Sequence, residues 1–132
     1  MSDERHVTRE VSARILVVDD DTDVLSFLRG ALEDEGLTVM TATDGAQAVA
    51  HAEHFGPDLL VLDATLPVLS SQGVAKQMRE LRGRAFPVLV ITADGQAAEK
   101  ARRLGAYAYL RKPFELNHFV ELVWRGLGPA VR

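Results

Sequence analysis

Residues Leu59-Leu60-Val61-Leu62 form an uninterrupted apolar run that ends on Asp63. A half-exposed strand alternates apolar and polar residues. A run without alternation, bounded by Gly56-Pro57 before it and Pro67 after it, suits a strand covered on both faces in the middle of a parallel sheet. Ligands of such sheets collect beyond the carboxyl ends of the strands, near the point where strand order reverses, so a carboxylate placed there is set up for chemistry. The pattern recurs along the chain. Arg14-Ile15-Leu16-Val17-Val18 runs into Asp19-Asp20-Asp21, Pro87 to Ile91 ends on Thr92, and Ala106 to Leu110 ends on Arg111-Lys112 before Pro113.

Helical periodicity fills the intervals. Thr22 is the expected N-cap of a first helix carrying Val24, Leu25, Leu28, Ala31 and Leu32 and ending at Gly36. Leu37 to Ala42 reads as a short strand, and Asp44-Gly45 turns the chain into a second helix from Ala46 to about Phe55. After Pro67, Val68 to Ser71 reads as a loop before a third helix with Val74, Ala75, Met78 and Leu81, closed by Gly83. Gln96 to Leu104 is a fourth helix, and Leu116, Phe119, Val120, Val123 and Leu127 mark one face of a fifth. Strand and helix alternating five times predict a doubly wound parallel sheet with helices on both faces and right-handed crossovers.

The domain expected is residues 13–127, with a flexible extension over 1–12 and a short tail over 128–132. At 132 residues the chain has room for one core. A mildly acidic, unpatterned balance, with a formal net charge of -4, argues against sequence-independent nucleic-acid binding. The absence of cysteine excludes disulfides, thiolate metal sites and cysteine nucleophiles. No apolar run reaches the roughly 18 residues of a membrane span, and the amino terminus lacks a signal-peptide pattern, so a cytoplasmic location is expected. Lys100, Arg102 and Arg103 form a short basic patch, and Trp124 borders the last helix's apolar stripe.

The strand ends bring Asp19, Asp20, Asp63, Thr92 and Lys112 to one rim of the sheet. Carboxylates about 4 Å apart repel by about 4 kcal/mol per pair at an effective dielectric near 20, so a cation belongs to the design. Oxygen-only ligands select a hard ion, and few carboxylates with open positions favour Mg²⁺. A carboxylate flanked by Mg²⁺, an ammonium and a hydroxyl can attack phosphorus, giving an aspartyl phosphate on Asp63.

These same fragments, Val17-Val18-Asp19-Asp20, Leu62-Asp63-Ala64-Thr65-Leu66-Pro67, Ile91-Thr92-Ala93 and Tyr109-Leu110-Arg111-Lys112-Pro113-Phe114, resemble the receiver domain of two-component response regulators, over residues 13 to 126. The resemblance implies a flavodoxin-like (βα)5 fold with sheet order 2-1-3-4-5. It implies phosphoryl transfer to Asp63 from a histidine kinase or a histidine phosphotransfer protein. Asp20, Asp63 and the backbone carbonyl of Thr65 would bind Mg²⁺ directly and Asp19 through water, while Lys112 would contact the phosphoryl group and precede a cis peptide at Pro113. Thr92 and Tyr109 would form a switch pair reshaping helix 4, strand 5 and helix 5, and the side chains of Thr65 and Asp94 would set phosphoryl lifetime. One departure is Ser71, where the family's loop commonly has Gly.

The resemblance thus implies a stand-alone phosphoacceptor rather than an enzyme, acting on a downstream protein or as a possible homodimer, without nucleic-acid or membrane partners. The alternatives are a phosphorylation-independent binding or dimerisation module of the same fold, and a Mg²⁺-dependent phosphohydrolase using an aspartyl-phosphate intermediate.

Overall fold

The structure, a computed structural model, describes residues 12–66 and 68–128. The expected extension falls outside the described residues except for Ser12, whose hydroxyl donates to the Gly36 carbonyl at 2.7 Å, and the expected tail except for Gly128. Ten elements follow in strict alternation: β1 (Arg14–Val18), α1 (Thr22–Asp34), β2 (Thr38–Ala42), α2 (Gly45–Phe55), β3 (Leu59–Asp63), α3 (Val68–Arg82), β4 (Val88–Thr92), α4 (Ala97–Leu104), β5 (Ala108–Arg111) and α5 (Leu116–Leu127). All strand pairs are parallel and the sheet order is β2-β1-β3-β4-β5. This is the flavodoxin-like doubly wound arrangement that the alternation and the resemblance imply.

The apolar runs lack alternation because both faces of the sheet are covered. Successive side chains of a strand point to opposite faces. Leu16, Val18, Leu60, Leu62, Val88 and Val90 pack with Ala48 and Ala52 of α2, Val74 and Met78 of α3, and Ala101 and Leu104 of α4. Ile15, Val17, Leu59, Val61, Leu89 and Ile91 pack with Leu25, Leu28 and Leu32 of α1 and Phe119, Leu122 and Val123 of α5. Two hydrophobic cores therefore lie on opposite sides of one sheet. No helix among the described residues is long and apolar enough to cross a membrane.

Several boundaries differ from expectation. Asp21, not Thr22, caps α1: its carboxylate accepts from the backbone N–H of Asp23 at 2.9 Å and of Val24 at 3.3 Å, leaving Thr22 as the first helical residue. A carboxylate outcompetes a β-branched hydroxyl there because it also meets the positive end of the helix dipole. The loop expected over Val68 to Ser71 is the first turn of α3 instead, since nothing in that stretch forbids helical dihedrals. Leu37 donates its N–H to Leu32 O and so closes α1 before β2 begins at Thr38. β5 starts at Ala108 rather than Ala106, whose N–H is held by Ala101 O.

Two glycines are required by position. Gly105 ends α4 with φ +68°, a left-handed conformation that lets the Leu104 carbonyl and its own turn toward Arg79 of α3, whose Nη2 donates to Leu104 O at 2.7 Å and Gly105 O at 3.1 Å. Gly126 in α5 is a contact point: a Cβ there would collide with the Tyr107 ring and with Leu59 Cδ1. Tyr107 uses that space to lie across α5 and donate its hydroxyl to Leu122 O at 2.7 Å. Gly126→Ala is expected to lower unfolding free energy by about 1–3 kcal/mol, the usual loss from overpacking, and Tyr107→Phe by about 1 kcal/mol. Urea denaturation of the two variants checks this. Unchanged midpoints would contradict the packing of β5 on α5.

Candidate functional site

The sheet order reverses direction between β1 and β3, and the acidic residues collect there. Val18 is paired with Leu62 in register, so Asp19 and Asp63 leave adjacent strands at the same height. Both also share parity with Val17 and Val61, which face α1 and α5, and Lys112 follows Ala108 and Leu110 on that face. The ladder extends past the strands through Asp19 N–H to Ala42 O (3.1 Å), Ala64 N–H to Ile91 O (2.9 Å) and Lys112 N–H to Thr92 O (2.8 Å), which holds the strand ends in register up to the site. The Lys112–Pro113 peptide is cis.

Carboxylate oxygens of Asp19, Asp20 and Asp63 lie within 4.8 Å of one another. Asp19 and Asp63 are buried and Asp20 is exposed, so the cluster opens to solvent on one side. Lys112 Nζ donates to Asp19 Oδ2 at 2.8 Å and to Asp63 Oδ2 at 3.2 Å. The other oxygens are also fixed. Asp21 N–H donates to Asp19 Oδ1 at 2.9 Å, and Thr65 donates to Asp63 Oδ1 twice, from its backbone N–H at 2.9 Å and its hydroxyl at 2.7 Å.

Burial pushes the Asp19 carboxyl up to about 6, against the lowering effect of its bonds from Lys112 and the Asp21 N–H, while the charge of Asp63 adds to the rise. Burial acts to lower the affinity of Lys112 for its proton. Its hydrogen bond to Asp19 and the charges of Asp63 and Asp19 outweigh this, and the ammonium is held above the ordinary lysine range. Three carboxylates against one ammonium leave two uncompensated negative charges when all are ionised. An all-oxygen donor set with that charge and one open side fits a hard divalent cation.

Among the described residues, none of the remaining expected site residues makes a hydrogen bond to Asp63, whose side-chain partners are Thr65 and Lys112. Thr92 is fully buried with the parity of Val90, toward the opposite core, and its hydroxyl accepts from Asp94 N–H at 3.1 Å. Tyr109 is 44% exposed, and its hydroxyl makes no hydrogen bond among the described residues. Asp94 faces Lys100 of α4, whose Nζ donates to its Oδ2 at 2.9 Å and to the Ala64 carbonyl, next to Asp63, at 3.4 Å. That hydrogen bond, with the Gln96 N–H on Oδ1, holds the Asp94 carboxyl below the ordinary range. Sequence reasoning placed Lys100 in a basic surface patch and missed this link. No local signal reveals it, because it depends on how α4 is oriented over the loop after β3.

Comparison with known proteins agrees with this architecture. Residues 15–124 match the profile of the family described as Response regulator receiver domain. The alkaline phosphatase synthesis transcriptional regulatory protein PhoP of Bacillus subtilis is 40% identical over 120 residues, covering 87% of this chain and 50% of that protein. Transcriptional regulatory protein PrrA of Mycobacterium tuberculosis is 41% identical over 118 residues, covering 88% and 50%. The chain thus spans about half the length of the curated relatives it matches. Among solved structures, Vibrio cholerae chemotaxis protein CheY4 superposes with a TM-score of 0.79 at 28% identity, covering 89% of this chain and 100% of that one. A CheY-like receiver domain protein from Methanospirillum hungatei gives 0.78 at 27%, covering 88% and 94%. With sheet order, rim cluster and a family match over most of its length in agreement, the chain belongs to the receiver domain family of two-component response regulators.

Proposed function

We propose that Asp63 accepts a phosphoryl group from a phosphohistidine on a histidine kinase or histidine phosphotransfer protein, and that the chain works as a phosphorylation-controlled switch. The observation that carries this reading is the fixing of Asp63 by Thr65 on one oxygen and Lys112 on the other, inside a three-carboxylate cluster open to solvent. In the reaction an Asp63 oxygen forms a bond to phosphorus as the phosphorus–nitrogen bond of the donor breaks, and the histidine leaves with the bonding electron pair. Oδ2, beside Lys112, is the oxygen assigned to attack, because the ammonium there neutralises charge on the incoming phosphoryl group.

Asp19, Asp20 and Asp63, with the Thr65 carbonyl, would hold Mg²⁺, which supplies charge neutralisation of phosphoryl oxygens when bound. Thr65 and Lys112 orient the acceptor carboxylate before any donor arrives. Thr92 and Tyr109 are the proposed readout. The outward, unbonded Tyr109 and the Thr92 hydroxyl engaged with Asp94 describe a resting arrangement from which both can move, changing the surface of α4, β5 and α5. Thr65 and Asp94 are assigned to lifetime, since one touches Asp63 and the other is tied through Lys100 to the carbonyl beside it. PhoP and PrrA carry names of transcriptional regulators and are twice the matched length, so in a longer arrangement the same switch would govern an output domain. As a separate unit it would act through protein contact.

Intact-protein mass after incubation with acetyl phosphate is expected to show one added phosphoryl group in the native chain with Mg²⁺, and none with EDTA or in Asp63→Asn. Undiminished uptake by Asp63→Asn would remove the assignment.

A second expectation follows from Asp19. Its proton affinity is higher folded than unfolded, so it contributes stability that is fully present below about pH 3.8 and lost as pH rises through about 6. In EDTA, Asp19→Asn should therefore stabilise the chain at pH 7.5, by on the order of 2 kcal/mol, and by roughly half as much at pH 5. Mg²⁺ competes with that proton, so native affinity for the ion should fall as pH drops below about 6. Chemical denaturation and Mg²⁺ titration at the two pH values read both effects. An Asp19→Asn chain no more stable than native at pH 7.5 would show that the buried carboxylate is not the source of strain.

A further inference from the structure

On the side of the sheet away from the acidic cluster, α3 and α4 leave a groove of about 510 Å³ between them. Its ionisable lining is Lys76, Arg79, Arg84 and Arg103 against Glu80 alone, four cations and one anion in a chain whose formal net charge is -4. Arg79 and Arg103 are explained locally: each lies in the last turn of a helix, where a cation meets the negative end of the dipole, and Arg79 also binds two carbonyls. Lys76 and Arg84 are not. Neither has a hydrogen bond or ion pair among the described residues, and both are exposed.

The groove continues inward to a crevice of about 30 Å³, lined by Ala64, Ser71, Lys100 and Arg103 among others. Ser71 is only 4% exposed, and its hydroxyl has no partner among the described residues. A buried hydroxyl and a lysine ammonium lining one crevice, which shares Gln72, Arg103 and Leu104 with the basic groove, make a place for a carboxylate or a similar terminal anion to be received.

We propose that this groove is a docking surface for an acidic, carboxylate-rich segment of a partner protein, with one Asp or Glu side chain entering the crevice to accept from Ser71 Oγ and Lys100 Nζ. Charge complementarity argues for an extended occupant over a compact one. Lys76 lies within α3 and Arg84 past its end after Gly83, so the two unpaired cations stand at separate places along the groove and not at one point. No aromatic ring lines the groove to stack a base, and the C-terminal turns of α3 and α4 border it, so a nucleotide finds neither a platform nor a helix N-terminus there.

The location gives such docking a regulatory consequence, which rests on the proposed role of Asp63. Lys100 already holds Asp94 and the Ala64 carbonyl. An occupant that accepts the third N–H of that ammonium shares its charge with Asp94 and the Ala64 carbonyl, so occupancy and phosphorylation alter one another, and by linkage the effect is reciprocal.

The test is a titration of the ¹⁵N-labelled full chain with an acetylated octaglutamate peptide at low salt, with inorganic pyrophosphate as the comparison. Peptide-induced shifts are expected at residues 71–84 and 100–105. Lys76→Glu with Arg84→Glu should weaken binding at least tenfold, and Ser71→Ala about threefold. Shifts elsewhere, indifference to the charge reversals, or pyrophosphate binding the groove as tightly as the peptide would overturn the proposal. Repeating the titration with beryllofluoride and Mg²⁺ should change the peptide's affinity at least threefold. Unchanged affinity in a chain that still takes up phosphoryl groups would overturn the coupling alone, whereas loss of phosphoryl uptake bears on Asp63 and leaves the groove measurement standing.

Discussion

Like charges forced together at the end of a buried strand pair are the constraint around which this molecule is arranged. Asp19 and Asp63 are both removed from water, and Asp20 stands beside them. Lys112 alone, reaching two of the three, cannot balance them; the proton affinity of Asp19 is raised first by its burial, and the neighbouring charge of Asp63 adds to the rise. The sheet must be stable enough elsewhere to tolerate it. Two fully covered apolar faces supply that stability, and the tight extension of the β ladder to Asp19, Ala64 and Lys112 keeps the strained groups from relaxing apart.

The same constraint gives the site its chemical character. On the proposed reading, an acceptor carboxylate held from both oxygens would lose little freedom when a phosphoryl donor arrives, and an unbalanced negative cluster would favour the ion that neutralises the product. Stability and reactivity therefore pull against each other at the same atoms, which is the usual relation between a fold and its functional centre.

Much of this was legible in the sequence, for a specific reason. Period-two geometry is rigid, so once Leu59 to Leu62 is read as a central strand, Asp63 must follow Val61 in parity; Asp19 follows Val17 and Lys112 follows Leu110 by the same rule. What was not legible depended on helix placement. The hydrogen bonds of Lys100 to Asp94 and Ala64 need the rotation of α4 over a loop from another strand, and nothing in the residues near Lys100 encodes that. Val68 to Ser71 reads as a loop after Pro67, yet it is the first turn of α3, with Ser71 packed inside the helix. The cap of α1 fell on Asp21 instead of Thr22, since neighbouring polar residues compete for one role and local composition does not choose between them.

The sheet has one further effect. Five strands with filled side-chain layers above and below form a wall that neither layer's motions can readily cross, because interiors at crystal-like density yield little to small pushes. The acidic cluster belongs by parity to the layer under α1 and α5, whereas Thr92 and α4 belong to the other. On the proposed reading of Asp63, a described route from it to α4 runs along the rim, from the Ala64 carbonyl through Lys100 to Asp94. On that reading, sensitivity would be concentrated in these few polar contacts at the rim instead of being shared across the core.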